Sequence, residues 1–321
     1  MISRVHSLRV GKPLIQQSSF GQWTTALLKV EKGGEVWAGT HNLFGDEQAD
    51  LKHHGGVDKA ICVYPFVHYD YWNKRLGGHW KPGDFGENLT LEGLDDENRV
   101  ILGDAPAGPI AVPMNGATYM ADLTGGQKTG IFYDQRPNHA FAANLSKGKR
   151  VLDVFAHVGG FGLAGLAGGA ASALAVDGSA PALALAEEGA AAMGVSDRFS
   201  TRQGDAFDIL TALRAEGAEF DVVVCDPPAF APNKPALEAG LRAYERIARL
   251  AAPLVAENGI LGLCSCPRAA DLTQFRTASV RGIGRAGRRA AMIYTGFAGP
   301  DHPQHLHLPE SGYLKALVFR L

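Results

Sequence analysis

Hydrophobic and polar positions change their rhythm partway along the chain. From Val151 onward, VLDVF, ALAVD, FSTRQGD, FDVVVCD and ILGLCSC read as short apolar strands. Between them APALALAEEGAAAM and LEAGLRAYERIARLAAPLV read as helices. Strands alternating with helices of this length predict βαβ units, and so an α/β fold with a parallel sheet covered on both faces. Earlier in the chain VHSLRVG, GEVWAG, KAICVYP and ENLTLEGL are strand-like runs set apart by glycine-bearing turns, with HYDYWNKRLG as one short helix. That pattern predicts a smaller β-rich, barrel-like domain. The Pro/Gly punctuation of DAPAGPIAVP marks a connection. The expected division is a β-rich domain at 1–108, a linker or hairpin segment at 109–146 and the α/β domain at 147–321.

Composition narrows the function classes. The 321 residues carry a formal net charge of -2, with 46% hydrophobic and 20% charged residues, as in globular proteins. Residues 1–108 carry a net of -3 and residues 109–321 a net of +1. Neither part has the basic excess of a protein that coats nucleic acid. Val154–Val176 runs 23 residues without a formal charge, long enough to suggest a membrane span. It is built from Ala and Gly, contains His157 and is bounded by strand-like runs, so a strand–turn–helix–strand passage is predicted instead. The opening MISRVHSLRVGKP lacks the apolar stretch of a signal peptide. Cys62, Cys225, Cys264 and Cys266 form no CxxC pair. Reduced thiols, no metal site and a cytoplasmic setting are therefore expected.

In doubly wound sheets, ligands bind beyond the carboxyl ends of the strands, and the chemistry-bearing residues fall at those ends. Asp153-Val-Phe-Ala-His157-Val-Gly159-Gly160-Phe-Gly162 follows one strand, and Gly160-Phe-Gly162-Leu-Ala-Gly165 spells GxGxxG. Asp177 ends the next strand, where a carboxylate can accept both ribose hydroxyls of a nucleotide or cap the following helix, a task Ser179 also suits. Gly204-Asp205-Ala206-Phe207 ends a third, where Asp205 is either an adenine contact or a helix cap. Asp226-Pro227-Pro228 ends a fourth, its acid and carbonyls suited to the N–H donors of a planar base. Cys266 leaves a fifth as a candidate nucleophile, whereas Cys225 and Cys264 read as buried small hydrophobes. Arg281, Arg285, Arg288 and Arg289 share one helical face, which suits RNA phosphate or open solvent. The GFGLAG pattern alone would also suit a nicotinamide-dependent dehydrogenase.

MNGATYMADLTGGQKTGIFYDQRPN, DVFAHVGGFGLAGLAGG, AVDGSAPALALAEE, GDAF, CDPPAF, LCSC and GPDHPQHLHLPESGYLKALVFRL follow one another across residues 109–321. In that order they resemble the ribosomal RNA large subunit methyltransferase I family. The resemblance implies a Rossmann-like class I methyltransferase fold and S-adenosyl-L-methionine as cofactor. It also implies 5-methylcytosine formation in 23S ribosomal RNA through a cysteine–cytosine covalent intermediate. It sets Asp153 and Gly159 beside the methionine part of the cofactor, Asp177 with Ser179 at the ribose, and Asp205 and Ala206 at the adenine. Gln135 and Arg136 would close the site, Asp226 would contact the base beside the cofactor, and Cys266 would attack it. HSLRVGKP, LFGDEQADLKHHGGVDKAICVYPFVHYDYW and PGDFGENLTLEGLDDENRVILGD resemble part of the MOSC domain of molybdenum-cofactor sulfurases. By that resemblance a truncated MOSC-like segment occupies the place where the methyltransferase family normally has an RNA-binding PUA domain and a complete α+β linker domain. His53 and His54 would then line a polar pocket. The alternative function is a MOSC-type protein that binds molybdenum cofactor, sulfur or an oxidised purine, its methyltransferase half inactive.

Overall fold

The computed structural model describes residues 4–18, 21–26, 28–37, 42–47, 62–92, 106–123, 125, 130–231, 233–267, 269–299, 302 and 312–321. His53, His54 and Lys59–Ile61 lie outside the described residues. The chain divides into two compact units, Met1–Ala105 and Pro106–Leu321.

The first unit contains β1 (Arg4–Val10), β2 (Leu14–Ser18), β3 (Gly21–Thr25), β4 (Val30–Glu31), β5 (Val63–Pro65), α1 (Val67–Leu76) and β6 (Leu89–Glu92). β4, β1, β6 and β5 form one sheet in that order, and β2 and β3 form a separate hairpin. VHSLRVG and NLTLE form strands as expected, and YDYWNKRL lies in α1. Glu35–Trp37, expected within a strand, is not in one. The β2–β3 hairpin was not anticipated, because LIQQSSFGQWTT has few apolar residues to mark it. A buried polar knot holds this unit. Asp46, 3% exposed, accepts from Lys29 Nζ at 2.6 Å, the Gly11 amide at 2.7 Å and Asn88 Nδ2 at 2.9 Å. A buried carboxylate is tolerated there because its lone pairs are filled and a cation faces it.

The second unit opens with the hairpin β7 (Ile110–Met114) and β8 (Ala117–Ala121), then α2 (Arg136–Asn144). The alternating part follows: β9 (Arg150–Val154), α3 (Gly160–Ala167), β10 (Ser172–Asp177), α4 (Ala180–Ala192), β11 (Phe199–Gln203), α5 (Ala206–Ala215) and β12 (Phe220–Cys225). It continues through α6 (Leu237–Ala251), β13 (Val255–Ser265), α7 (Leu272–Arg285), β14 (Ala291–Gly296) and β15 (Lys315–Arg320). Seven strands form one sheet in the order β11-β10-β9-β12-β13-β15-β14. The sheet is mixed rather than parallel throughout, since β15 runs antiparallel to both β13 and β14. The five strands expected from apolar runs are the parallel ones.

Period-two alternation sends the strand side chains into two cores. Leu152, Val154, Val223, Cys225, Leu261 and Leu263 pack with residues of α5, α6 and α7. Val151, Val222, Val224, Ile260 and Cys264 pack with α3 and with Met114 and Tyr119 of the hairpin. Tyr119 is fully buried, so the hairpin in 109–146 is part of the unit's core. Among the described residues no helix is long and apolar enough to cross a membrane. The uncharged stretch Val154–Val176 is the end of β9, a turn, α3 and most of β10.

Candidate active site

The chain leaves β9 for β10 on one side and returns to β12 on the other, so the strand order reverses between β9 and β12. In such sheets the crevice at that reversal is where ligands bind. The tip of β9 is unusual backbone. Phe155, His157 and Gly159 have φ of 63°, 49° and 84°. For Phe and His the left-handed region costs about 1–3 kcal/mol each, and such strain concentrates at functional sites. Asp153 holds the turn from below: its Oδ2 accepts from the amides of Phe161 at 3.0 Å and Gly162 at 2.8 Å. It is 1% exposed, and burial pushes its carboxyl up to about 7, against those two amide bonds. Asp153 thus shapes the loop from beneath.

Asp177 lies beside that loop. Its Oδ2 accepts the His157 amide and its Oδ1 the Ser179 amide, both at 2.8 Å. Each oxygen keeps a lone pair, and the neighbouring Gly178 is exposed. Ser179 itself caps α4, its Oγ accepting from the Ala182 amide at 3.3 Å. Asp205 stands on the adjoining strand end, where the Gly204 amide bonds the Asp177 carbonyl at 3.0 Å. It caps α5 through Oδ1 alone, with Phe207 N at 2.9 Å and Asp208 N at 3.2 Å. Asp177 and Asp205 therefore share one end of the sheet, and capping occupies only one of the two Asp205 oxygens. Ala206 is 5% exposed at the start of α5. Arg246 lies over the Phe207 ring at 4.4 Å.

On the other side of the reversal, Asp226 accepts from Gln135 Nε2 at 2.9 Å, and Asn138 Nδ2 donates to Gln135 Oε1 at 2.7 Å. Burial pushes the Asp226 carboxyl up to about 7, the Gln135 bond opposing and the charges of Asp134 and Asp153 adding to the rise. Gln135 ends a short 3-10 turn, Tyr133–Gln135, and Arg136 begins α2. Tyr313 anchors this segment through Asp134 Oδ2 at 2.8 Å. Cys266 follows β13 and is partly exposed, whereas Cys225 and Cys264 are buried and burial raises both of their thiols. β13 pairs with β12, Leu263 opposite Cys225, so Cys266 and Asp226 leave adjacent strands at the same end.

Buried polar atoms are normally satisfied. Here Asp134 Oδ1 and Asp153 Oδ1 are buried without a hydrogen-bond partner, and the buried Tyr244 hydroxyl lies against Ser265. The Tyr244 hydroxyl, raised by burial, also senses the charges of Cys266 and Asp226. Tyr244 escaped the sequence reading because, with Gly240, Ile247, Ala248 and Ala251, it sits on the buried face of α6. Lys315 escaped it too, although one charge opening the apolar strand KALVFR is a readable signal.

Two sequence readings are corrected. Gly160, Gly162 and Gly165 lie inside α3. A Cβ on them would meet His139 Nε2 at 2.8 Å, Phe199 at 3.4 Å and Val151 at 3.1 Å respectively. They let protein neighbours approach, not a dinucleotide, and the dehydrogenase reading loses its support. Of the four arginines expected on one helical face, towards RNA phosphate or open solvent, Arg288 and Arg289 lie beyond the end of α7, and Arg285 pairs with Glu245. Arg288 donates to the carbonyls of Ala252 at 3.2 Å, Val255 at 2.6 Å and Ala256 at 3.1 Å. Arg281 and Arg289 are exposed.

Residues 95–279 match the family model described as S-adenosylmethionine-dependent methyltransferase. The chain belongs to that family. Residues 50–116 of this methyltransferase also match the MOSC domain model. It is 38% identical over 232 residues to "Ribosomal RNA large subunit methyltransferase I" of Aeromonas hydrophila, covering 71% of this chain and 58% of the relative. The protein of the same name from Shewanella amazonensis is 38% identical over 272 residues, 81% of this chain and 68% of the relative. The chain thus spans just under three fifths of the Aeromonas relative's length. Among solved structures, an S-adenosylmethionine-dependent methyltransferase from Streptococcus mutans aligns with a TM-score of 0.61 at 24% identity, covering 68% of this chain and 57% of that one. A methyltransferase complexed with S-adenosylhomocysteine gives 0.62 at 24% identity, covering 68% and 58%. At these identities the structures show the fold.

Proposed function

We propose that this chain is a methyltransferase that transfers a methyl group to C5 of a cytosine in large-subunit ribosomal RNA. The observation that carries the proposal is the gathering of Asp177, Asp205, Asp226 and Cys266 at the carboxyl ends of four strands of one sheet. The curated relatives named for large-subunit rRNA support the substrate class.

The residues fit S-adenosylmethionine. Asp177 has one lone pair left on each oxygen for the two ribose hydroxyls, and Asp205 keeps Oδ2 for the adenine amine. Unpartnered Asp153 Oδ1 lies under the loop that would face the methionine part, where Gly159 turns the chain. Gln135, from the turn before α2, and Arg136, its first residue, would close the site. When bound, the cofactor supplies an electrophilic methyl on its sulfonium sulfur.

Cytosine C5 is a weak nucleophile, so the protein must activate it. The Cys266 thiolate would add to C6, forming the S–C6 bond and moving the C5–C6 π pair so that C5 becomes nucleophilic. Asp226, with a carboxyl near half-protonation at neutral pH, would share its proton with N3 and offset the charge that develops there. Gln135 holds Asp226 in that orientation. Once C5 carries the methyl group, a solvent-borne base takes the C5 proton, its electron pair restores the C5–C6 double bond and expels the Cys266 thiolate, and the shared proton returns from N3 to Asp226. In-line placement of thiol and base supplies much of the rate.

The test is tritium transfer from methyl-labelled S-adenosylmethionine to unmodified 23S rRNA, followed by nucleoside analysis. Label in 5-methylcytidine is expected; label in another nucleoside, or none, overturns the proposal.

A further inference from the structure

Resting on the reading of Cys266 as the nucleophile, a second question is what makes that thiol reactive. Lys315 begins β15 opposite Ser265 of β13. It is 5% exposed, although Lys is rarely buried without a task. Its Nζ donates to the carbonyls of Pro267 and Ala270, both at 2.8 Å. Those carbonyls belong to the turn between β13 and α7, the turn that Cys266 begins. A protonated lysine has three N–H donors, and the two carbonyls take two of them.

We propose that Lys315 is the positioning residue of Cys266: its buried ammonium ties the thiol-bearing turn to β15 and sets a positive charge beside the sulfur that favours the thiolate. The thiol proton passes to solvent at the partly exposed Cys266. Burial lowers the affinity of Lys315 for its proton, while Cys266 and Asp271 act to retain it. Among the described residues, the titratable groups on the elements that meet at this turn come from four places. Lys315 stands on β15, Tyr244 on α6, Asp226 after β12, and Asp271 caps α7. Both carboxylates oppose a thiolate, as an ionised Tyr244 would, and Lys315 is their counterweight. A position needed only for sheet packing would be served by an apolar side chain without the cost of burying a charge. A cation close to a cysteine is a recognised way to lower thiol pKa.

The experiment is alkylation of Cys266 by iodoacetamide across pH 5–10, read by peptide mass, in the full chain carrying Cys62→Ser to remove the exposed thiol. With Lys315 present, the midpoint is expected at least about one unit below the ordinary ~8.5 of a thiol. Lys315→Met should raise it by about a unit or more, slowing alkylation near pH 7 about tenfold. Lys315→Arg, which keeps the cation, should restore the lowered midpoint. A purely structural tether would change the rate at every pH and leave the midpoint still; that result overturns the proposal. So does an ordinary midpoint with Lys315 in place, which decides the matter even if Lys315→Met does not fold. The alkylation uses neither RNA nor cofactor. Methyl transfer that survives Cys266→Ser would sink the nucleophile assignment and leave this readout standing.

Discussion

Asp177 has two backbone amides on its carboxylate and an exposed glycine beside it. If its remaining lone pairs take a ribose diol, Asp177→Ala should weaken S-adenosylmethionine binding about tenfold to a hundredfold, the usual range for hydrogen bonds to a charged group. Calorimetric titration measures this directly, and an unchanged affinity removes the ribose assignment. Asp226 makes a prediction about pH. Burial pushes its carboxyl up to about 7 in the folded chain, from the ordinary aspartate value of about 4. Between those values the folded state holds more protons than the unfolded state, so Asp226 stabilises the fold fully below about pH 4 and loses that contribution as pH rises through 7. Asp226→Asn should therefore flatten the decline in Tm between pH 4 and pH 8 relative to the unsubstituted chain. Identical pH slopes in scanning calorimetry would contradict the assignment. Phe155 and His157 illustrate what sequence conceals at this scale. Nothing in DVFAHVGG announces two left-handed residues ahead of the glycine, because the strain is imposed by Asp153 and Asp177, which hold the loop's amides.

At the scale of elements, α7 supplies a paired test. A Cβ on Gly282 would run into the Glu245 carbonyl of α6 and stand 2.7 Å from Ala248 Cβ, whereas Gly284 has open space around it. Gly282→Ala should destabilise the chain by about 1–3 kcal/mol through overpacking. Gly284→Ala should stabilise it by about 0.5–1 kcal/mol through helix propensity. Denaturant unfolding of the two variants measures both, and equal effects would show that the α6–α7 approach is not tight. The same glycines explain why the strands and helices of the second unit were legible while their faces were not. Apolar runs such as FDVVVC give strands by composition alone. Arg281, Arg285, Arg288 and Arg289 read as one helical face because spacing reveals alignment but neither the partners nor the helix end, and α7 stops at Arg285. Glu245 and three carbonyls at residues 252–256, distant in sequence, claim two of the four.

At the scale of the molecule, the reversal of strand order between β9 and β12 places the candidate site, and the order of motifs along the chain anticipated it. Asp177, Asp205, Asp226 and Cys266 were readable because each directly follows an apolar strand. Tyr244 was not, being disguised as helix core; Lys315 showed as a charge opening an apolar strand, but no local pattern predicts the antiparallel place of β15 beside β13. With a net charge of -2, the chain lacks the field to coat nucleic acid at large, so under the proposed function RNA would be recognised at the site and its immediate rim. The proposed reaction turns on a covalent bond from Cys266 to C6 of a cytosine while Asp226 holds the ring. The most direct measurement incubates the chain with S-adenosylmethionine and a 23S rRNA fragment carrying 5-fluorocytidine, whose C5 fluorine cannot leave as a proton. A stable adduct on the Cys266 peptide, absent in Cys266→Ala, is the result predicted. An adduct on another residue, or none while the same preparation methylates ordinary RNA, would contradict it.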